Sequence, residues 1–343
     1  MRQQRRKHHV WRWLGAILLL LLAAAGGYGY YVYSSAHAAI DKTYTPLKAQ
    51  TTSADKKITS AKPISILLMG TDTGSLGRTE KKGRTDTMIL VTINPTTKKT
   101  TMTSIPRDTL AEMVGTSTTN VQKINAAYSI GGADMAVNSV SALLNVPIDY
   151  YVLVNMGALT KVVNAVGGVD VTVPFSFTQS GVSFTKGKMH LTGSQALQYV
   201  RMRDADPEGD YGRKKRQQQV ITAILKNAAS LSTLTNFKKL LTAIDTNLQT
   251  NLSFADMISL YQKYMSATKS ITRSQLIGNA ATIDAWYQVV STEKLQATSD
   301  TLRKELGLST ATLSNAETKM NAANTNFDWS SSATQYYQIT GLN

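Results

Sequence analysis

Short apolar runs alternate along this chain with longer amphipathic stretches, and glycine or proline marks most of the changes between them. Residues 64–70, ISILLMG, are β-branched at first and end at Gly70, the pattern of a buried strand. Residues 75–84 are polar and read as a loop. MILVTIN at 88–94 and TTMTSI at 100–105 read as two more strands, joined by the hairpin signal Pro95-Thr96-Thr97-Lys98-Lys99. A helical pattern follows Gly131-Gly132 and runs through Leu144. DYYVLVNM at 149–156 predicts a strand, residues 157–166 a helix stopped by Gly167-Gly168, and VDVTV at 169–173 another strand. Thr192 and Gln195 have the spacing of a capping box that opens a short helix to Val200. A longer helix is predicted from Tyr211 to Ser230, with Val220, Ile221, Ile224 and Leu225 on one face. Further helices are predicted at 235–247 and 254–267, and a last strand-and-helix unit ends near Leu308.

Strands and helices in this order predict one mixed α/β (α+β) domain over residues 63–308, a central sheet flanked by helices. Residues 37–62, rich in Thr, Ser, Lys and Ala with Pro46, read as a stalk. Residues 309–343 are rich in Ser, Thr, Ala and Asn and predict a mobile tail. Phe327, Trp329, Tyr336 and Tyr337 make it stickier than a plain linker. Docking on carbohydrate is one reading of them, and a disordered end with stray aromatics is the more ordinary one.

One apolar run is of another kind. Residues 13–36 carry no charge over 24 positions, enough to cross about 30 Å of hydrocarbon. Trp11 and Trp13 stand at one end and Tyr28, Tyr30, Tyr31 and Tyr33 at the other, as in interfacial aromatic belts. Arg2, Arg5, Arg6, Lys7 and Arg12 precede the run, so the positive-inside rule puts residues 1–12 in the cytoplasm and everything past the span outside. A cleaved signal peptide at Ala36-His37-Ala38 is the rival reading. The length of the run and the tyrosines favour an anchor in the cell membrane, and in either case the folded part is extracytoplasmic.

Composition narrows the chemistry. The 343 residues include no cysteine, which excludes thiol catalysis, disulfides and Cys-based zinc sites. The four histidines are His8, His9, His37 and His190, and only the last is expected in a folded domain, so a histidine triad or multi-His metal site lacks partners. Asp, Glu, Arg, Lys, amides and hydroxyls remain, with Mg²⁺ held by carboxylates as an option. Net charge is +15, and beyond residue 40 there are still 32 basic against 22 acidic residues. That excess suits an anionic partner.

The charges cluster. Residues 199–217, YVRMRDADPEGDYGRKKRQ, set Arg201, Arg203, Arg213 and Arg216 among Asp204, Asp206, Glu208 and Asp210. Arginine is the residue of two-pronged phosphate recognition. Arg84 and Asp86 are two apart in an extended segment and so share a face. Asp72 follows the first strand, and Asp72 and Asp86 can converge on one cation. Arg107 and Asp108 follow Pro106 at the exit of a strand. Surface ion pairs are common and nearly neutral in energy, so no single pair argues for a site. Their recurrence at neighbouring strand ends does. On the long helix Arg213, Arg216 and Gln217 are expected on one face, with Lys214 and Lys215 turned to solvent. No phosphate-binding glycine loop of the GxxxxGK[ST] or GxGxxG type is present.

The blocks ILLMGTD (66–72), GRTDTMILVTINP (83–95), TSIPRD (103–108), KINAAYSIGG (123–132), VNAVGGVDVTVP (163–174), LTGSQALQYVRMR (191–203) and DYGRKKRQ (210–217) resemble, in this order, the LytR-CpsA-Psr family of cell-envelope glycopolymer transferases. The resemblance is strong over 63–230 and weaker to 308. It implies transfer of a glycopolymer phosphate, such as wall teichoic acid or capsule, from a polyprenyl diphosphate lipid to a hydroxyl of peptidoglycan. It further implies that Asp72 and Asp86 hold Mg²⁺ (or Mn²⁺), that Arg84, Arg201, Arg203, Arg213 and Gln217 grip the diphosphate, that Arg107 is the arginine most needed for catalysis, and that the lipid tail enters an apolar tunnel. Ala126 departs from the pattern, where a histidine is common. The attacking hydroxyl needs a base, for which Asp108 and Asp210 are both candidates. Three other readings stay open: a non-catalytic binder of envelope polymer, a polyprenyl-diphosphate hydrolase, and a transcriptional attenuator, the idea in the family's name. Nucleic acid is not an expected partner, because only residues 1–12 would face it and the basic groups alternate with acids.

Overall fold

The computed structural model describes residues 34, 37, 42–48, 52–71, 73, 83–229 and 248–342. The expected membrane span, apart from Ser34, the expected helix at 235–247 and Asp72 lie outside these residues. Among the described residues no helix is long and apolar enough to cross a membrane.

A helix α1 (Thr52–Thr59) leads into β1 (Ile64–Thr71), β2 (Thr85–Asn94) and β3 (Lys99–Ile105), an antiparallel meander. The short pair β4 (Leu110–Glu112) and β5 (Val121–Lys123) follows, then α2 (Ala126–Leu144), β6 (Tyr150–Asn155) and α3 (Met156–Ala165). β7 (Val169–Val173) pairs with β10 (Gly187–Leu191) around the hairpin of β8 (Phe177–Gln179) and β9 (Val182–Phe184). Next come α4 (Gly193–Arg201), α5 (Asp210–Ala229), β11 (Leu248–Thr250), α6 (Phe254–Tyr264) and β12 (Ser270–Gln275). β13 (Asn279–Thr282), β14 (Trp286–Val289), α7 (Thr292–Glu305), α8 (Ala316–Ala323) and β15 (Gln335–Tyr336) complete the chain. The main sheet has the order β11-β6-β1-β2-β3-β12, with β6 parallel to β1 and β12 parallel to β3.

The sheet is buried on both faces, which is why its central strands read as unbroken apolar runs. Leu67, Met69, Met88 and Leu90 point to one face, under Val140 and Leu143 of α2 and Leu295 and Leu302 of α7. Ile64, Ile66, Ile89 and Val91 point to the other, against Ile58 of α1 and Tyr264 of α6. The predicted capping box is present: Thr192 accepts from the backbone of Gln195, whose side chain accepts from Thr192. The helix expected after Gly131-Gly132 starts earlier, at Ala126, and kinks at Gly132, where φ is 70°.

Both flanks of the expected domain belong to it. The supposed stalk supplies α1, whose Ile58 is fully buried, and Thr45, whose carbonyl accepts the Tyr151 hydroxyl at 2.9 Å. The supposed mobile tail folds. Met320, Phe327 and Tyr337 are buried against Leu110, Ala281, Tyr287 and Val289. The polar residues that made residues 309–343 read as a linker satisfy backbone groups instead. Asn315 caps α8 and donates to the last carbonyls of α2, Ala142 at 3.1 Å and Leu143 at 3.0 Å. Asn321 donates to the Val290 carbonyl at 2.9 Å.

Candidate active site

The register brings one end of β1, β2, β3 and β6 to a common edge. Thr71 lies opposite both Thr85 and Asn155, and Met88 opposite Ile105. Asp86, at the start of β2, and Arg107, just past the end of β3, therefore meet. Arg107 Nη1 donates to Asp86 Oδ2 at 2.9 Å and its Nε to Asp108 Oδ2 at 3.3 Å. Lys123 Nζ reaches Asp108 Oδ1 at 2.9 Å. Backbone bonds hold the group: Asn125 donates to the Arg107 carbonyl and accepts from Thr85, each at 3.2 Å. Asn125 Nδ2 donates to Asp86 Oδ1 at 3.4 Å, while its own buried Oδ1 has no partner among the described residues.

Helix α5 supplies the opposite wall. Arg213, Gln217, Val220, Ile221, Ile224 and Leu225 recur every three or four residues, one side of a helix. They face Leu68 of β1, Val152 and Val154 of β6, and Leu159 and Val162 of α3 across a cavity of about 680 Å³. Apart from buried Arg213 and Val220, these side chains stay half-buried in an otherwise closed core because they line a void. Its mouth is polar: Asp86, Arg201, Arg203, Asp204, Arg213 and Gln217. A second cavity of about 480 Å³ shares Arg203 and Asp204 and adds Arg107, Asp108, Lys123, Asp210, Trp286 and Gln288. An apolar channel and a polar cleft thus meet at one arginine-rich rim.

One arginine of that rim lacks hydrogen-bond acceptors. The Arg213 side chain is only 11% exposed, and it touches Asp210 in an ion pair without hydrogen-bond alignment. Its Nε and Nη2 have no acceptor among the described residues. Burial, then the like charge of Arg107, pulls its guanidinium down to about 10. Lys214 is pulled down to about 8, chiefly by burial. Buried cations, one with N–H groups that lack aligned acceptors, are what a polyanionic ligand relieves.

The sequence-predicted residues divide accordingly. Asp86, Arg107, Asp108, Arg201, Arg203, Arg213 and Gln217 converge on the rim. Arg84 is exposed and lines neither cavity. Arg216 was expected beside Arg213 and Gln217, but one helical step turns about 100° and sends it inward. It pairs with buried Asp206 and donates to the Tyr199 and Met202 carbonyls, closing the end of α4. Lys214, expected in solvent, is buried beside Asp210, whereas Lys215 is exposed. His190 pairs with Asp170 on the exposed β7–β10 ribbon. His37, expected outside the domain, packs on the Phe254 ring. Lys123 and Asn125 were not singled out, although both stand in the KINAAY block. Trp286 and Gln288 carried no signal at all.

The donor set suits a hard divalent cation in part. Asp86 offers a carboxylate, and the unpartnered Asn125 Oδ1 lies on the residue that bonds it. Among the described residues no cluster of three or more acidic or histidine side chains is present, so the remaining ligands would come from the substrate's phosphates or from Asp72.

The model of the LytR_cpsA_psr family matches residues 29–304. A protein of Bacillus mycoides named polyisoprenyl-teichoic acid--peptidoglycan teichoic acid transferase TagU is 40% identical over 307 residues, covering 88% of this chain and 99% of its own. The crystal structure of an Enterococcus faecalis protein described as a transcriptional regulator is 41% identical, with a TM-score of 0.69 over 78% of this chain and 96% of that one. The structure of TagT bound to LIIa-WTA is 33% identical, with a TM-score of 0.61 over 72% and 92%.

Proposed function

Since the chain belongs to the LytR-CpsA-Psr family, whose model spans residues 29–304, we propose that it is a phosphotransferase that moves a teichoic acid or related glycopolymer from a polyprenyl diphosphate carrier to peptidoglycan. The observation that carries this reading is the placing of Arg213, Arg201, Arg203 and Gln217 at the mouth of an apolar channel. A lipid diphosphate is the ligand that needs both halves. The names of the relatives, a teichoic acid transferase and a protein bound to LIIa-WTA, support the same substrate class.

The chemistry follows from charge. A hydroxyl of the acceptor, entering from the polar cleft, attacks the phosphorus that bears the polymer. The new P–O bond forms as the P–O–P bridge breaks, and polyprenyl monophosphate leaves down the channel side. Negative charge grows on the leaving oxygen and the equatorial oxygens. Arg107, fixed by Asp86 and Asp108, and Arg213, with its free N–H groups, are preorganised to meet it. The hydroxyl proton goes to a carboxylate of the cleft. Asp108 and Asp210 both line it, and Asp108 adjoins Arg107. Mg²⁺ or Mn²⁺, held by Asp86, Asn125 and Asp72, would neutralise diphosphate charge. The uncharged run 13–36 and its basic N-terminal flank support a single-pass anchor with the domain outside the cell membrane.

Arg107→Ala tests the reading. The variant is expected to unfold at the temperature of the parent and to lose transfer of lipid-linked polymer to peptidoglycan by at least about 100-fold. Transfer at the parental rate contradicts it.

A further inference from the structure

The folded C-terminal segment builds something that the family match, ending at residue 304, does not reach. β15 joins β13 through the pair Thr282–Tyr336, and β13 joins β14 through the pair Thr282–Trp286. Trp286, Thr282 and Tyr336 therefore stand in one row across three strands, on the same face of the sheet. That face is open: Trp286 is 45% and Tyr336 68% exposed, whereas the alternate residues Ala281, Tyr287 and Tyr337 are buried beneath. Two strand spacings separate the rings by about 10 Å, the length of a disaccharide unit. Tyr337 holds the edge strand down, with its backbone N–H on Thr282 O at 3.0 Å and its hydroxyl on Asn321 Oδ1 at 2.7 Å.

The row is continuous with the reaction centre. Trp286 and Gln288 line the polar cleft together with Arg107 and Asp108. The Gln288 backbone N–H donates to the Asp108 carbonyl at 2.9 Å, which ties this sheet to the Arg107–Asp108 segment. Charge changes along the row. At the inner end Arg107, Lys123 and Arg203 stand among Asp108, Asp204, Asp206 and Asp210. Asp328, tied to β15 through Gln335, stands at the outer part. Cations for a phosphate are confined to the inner end, and the outer part offers a polyphosphate chain none of them. A pyranose chain has apolar C–H faces that stack on exposed rings, and its backbone carries no charge.

We propose that Trp286 and Tyr336 form a subsite for the glycan strand of the acceptor, which lies along the sheet with a hydroxyl at the polar cleft. The assignment rests on the transferase reading for the identity of the acceptor, but not for the binding itself. The C-terminal segment thereby extends the acceptor side of the enzyme by one disaccharide.

The probe is a soluble β-1,4-linked N-acetylglucosamine hexasaccharide, which has the acceptor's pyranose backbone, titrated into the full chain. Saturable binding is expected, weakened about tenfold by Trp286→Ala and by Tyr336→Ala and kept by Tyr336→Phe, with binding of a lipid diphosphate unchanged in both Tyr336 variants. Both substituted positions are exposed, so folding is not at issue. No binding by the parent protein, or equal binding by the alanine variants, overturns the proposal. Stronger competition by poly(glycerol phosphate) than by unlabelled hexasaccharide also overturns it, since the face then belongs to the donor polymer. Hexasaccharide binding that depends on both rings, in a protein that transfers nothing, supports the subsite while refuting the transferase reading.

Discussion

Arg107 Nη1 lies 2.9 Å from Asp86 Oδ2, and this bond joins the exit of one central strand to the start of its neighbour. With the Nε contact to Asp108, two of the three guanidinium nitrogens are held, which fixes its plane. A lysine keeps the charge but has no fork. Arg107→Lys is therefore expected to lose about 100-fold in transfer, close to the loss from alanine. Steady-state transfer assays on the two variants check this.

The Arg216–Asp206 pair is structural. Each side chain is 3% exposed, and Gly212 leaves the space that the Asp206 carboxylate fills. Asp206→Ala strands a buried guanidinium and is expected to cost about 3–5 kcal/mol, read as a lower urea midpoint. Gly212→Ala drives a methyl group into the same carboxylate and is expected to destabilise by about 1–3 kcal/mol.

Lys214 gives the fold a pH signature. Its amine is pulled from 10.5 to about 8, first by burial. Between those values the unfolded chain holds a proton that the folded chain has lost, so stability rises with pH across that window. Below about 8 the cost of the buried charge is fully present. The slope is at most about 1.4 kcal/mol per pH unit. Lys214→Met is expected to be more stable than the parent at pH 7 and to lose this contribution to the slope, as urea unfolding at pH 7, 8 and 9 would record.

Most of this architecture was legible because burial on both faces leaves central strands apolar, and because Thr192–Gln195 caps a helix by local spacing alone. The rim was legible in outline, because arginine and aspartate recur together at neighbouring strand ends. What escaped depends on tertiary partners. Arg216 and Arg213 look alike in sequence, and only Asp206 and the open carbonyls of α4 turn one inward. Lys214 is buried because α5 leans on the sheet, where Gln218 donates to Ser104 Oγ at 2.9 Å and Ser274 O at 2.8 Å. Residues 309–343 have no helical or strand period, and their asparagines spend themselves on other elements' carbonyls, which composition does not report.

The channel makes a prediction of its own. Leu225 lines the void and is half-buried. Leu225→Trp fills part of about 680 Å³ without touching the rim. The variant is expected to lose use of a long polyprenyl donor about tenfold or more while keeping a short-chain diphosphate donor, a contrast measured by KM for the two donors. Equal losses for both place the tail elsewhere.

Mass spectrometry of lipid retained by the protein purified from membranes tests the central claim most directly. Polyprenyl phosphate or diphosphate is expected in the parent, depleted in Arg213→Ala and in Leu225→Trp. Recovery of ordinary phospholipid alone, or equal polyprenyl occupancy in all three proteins, contradicts the assignment of rim and channel to a lipid diphosphate.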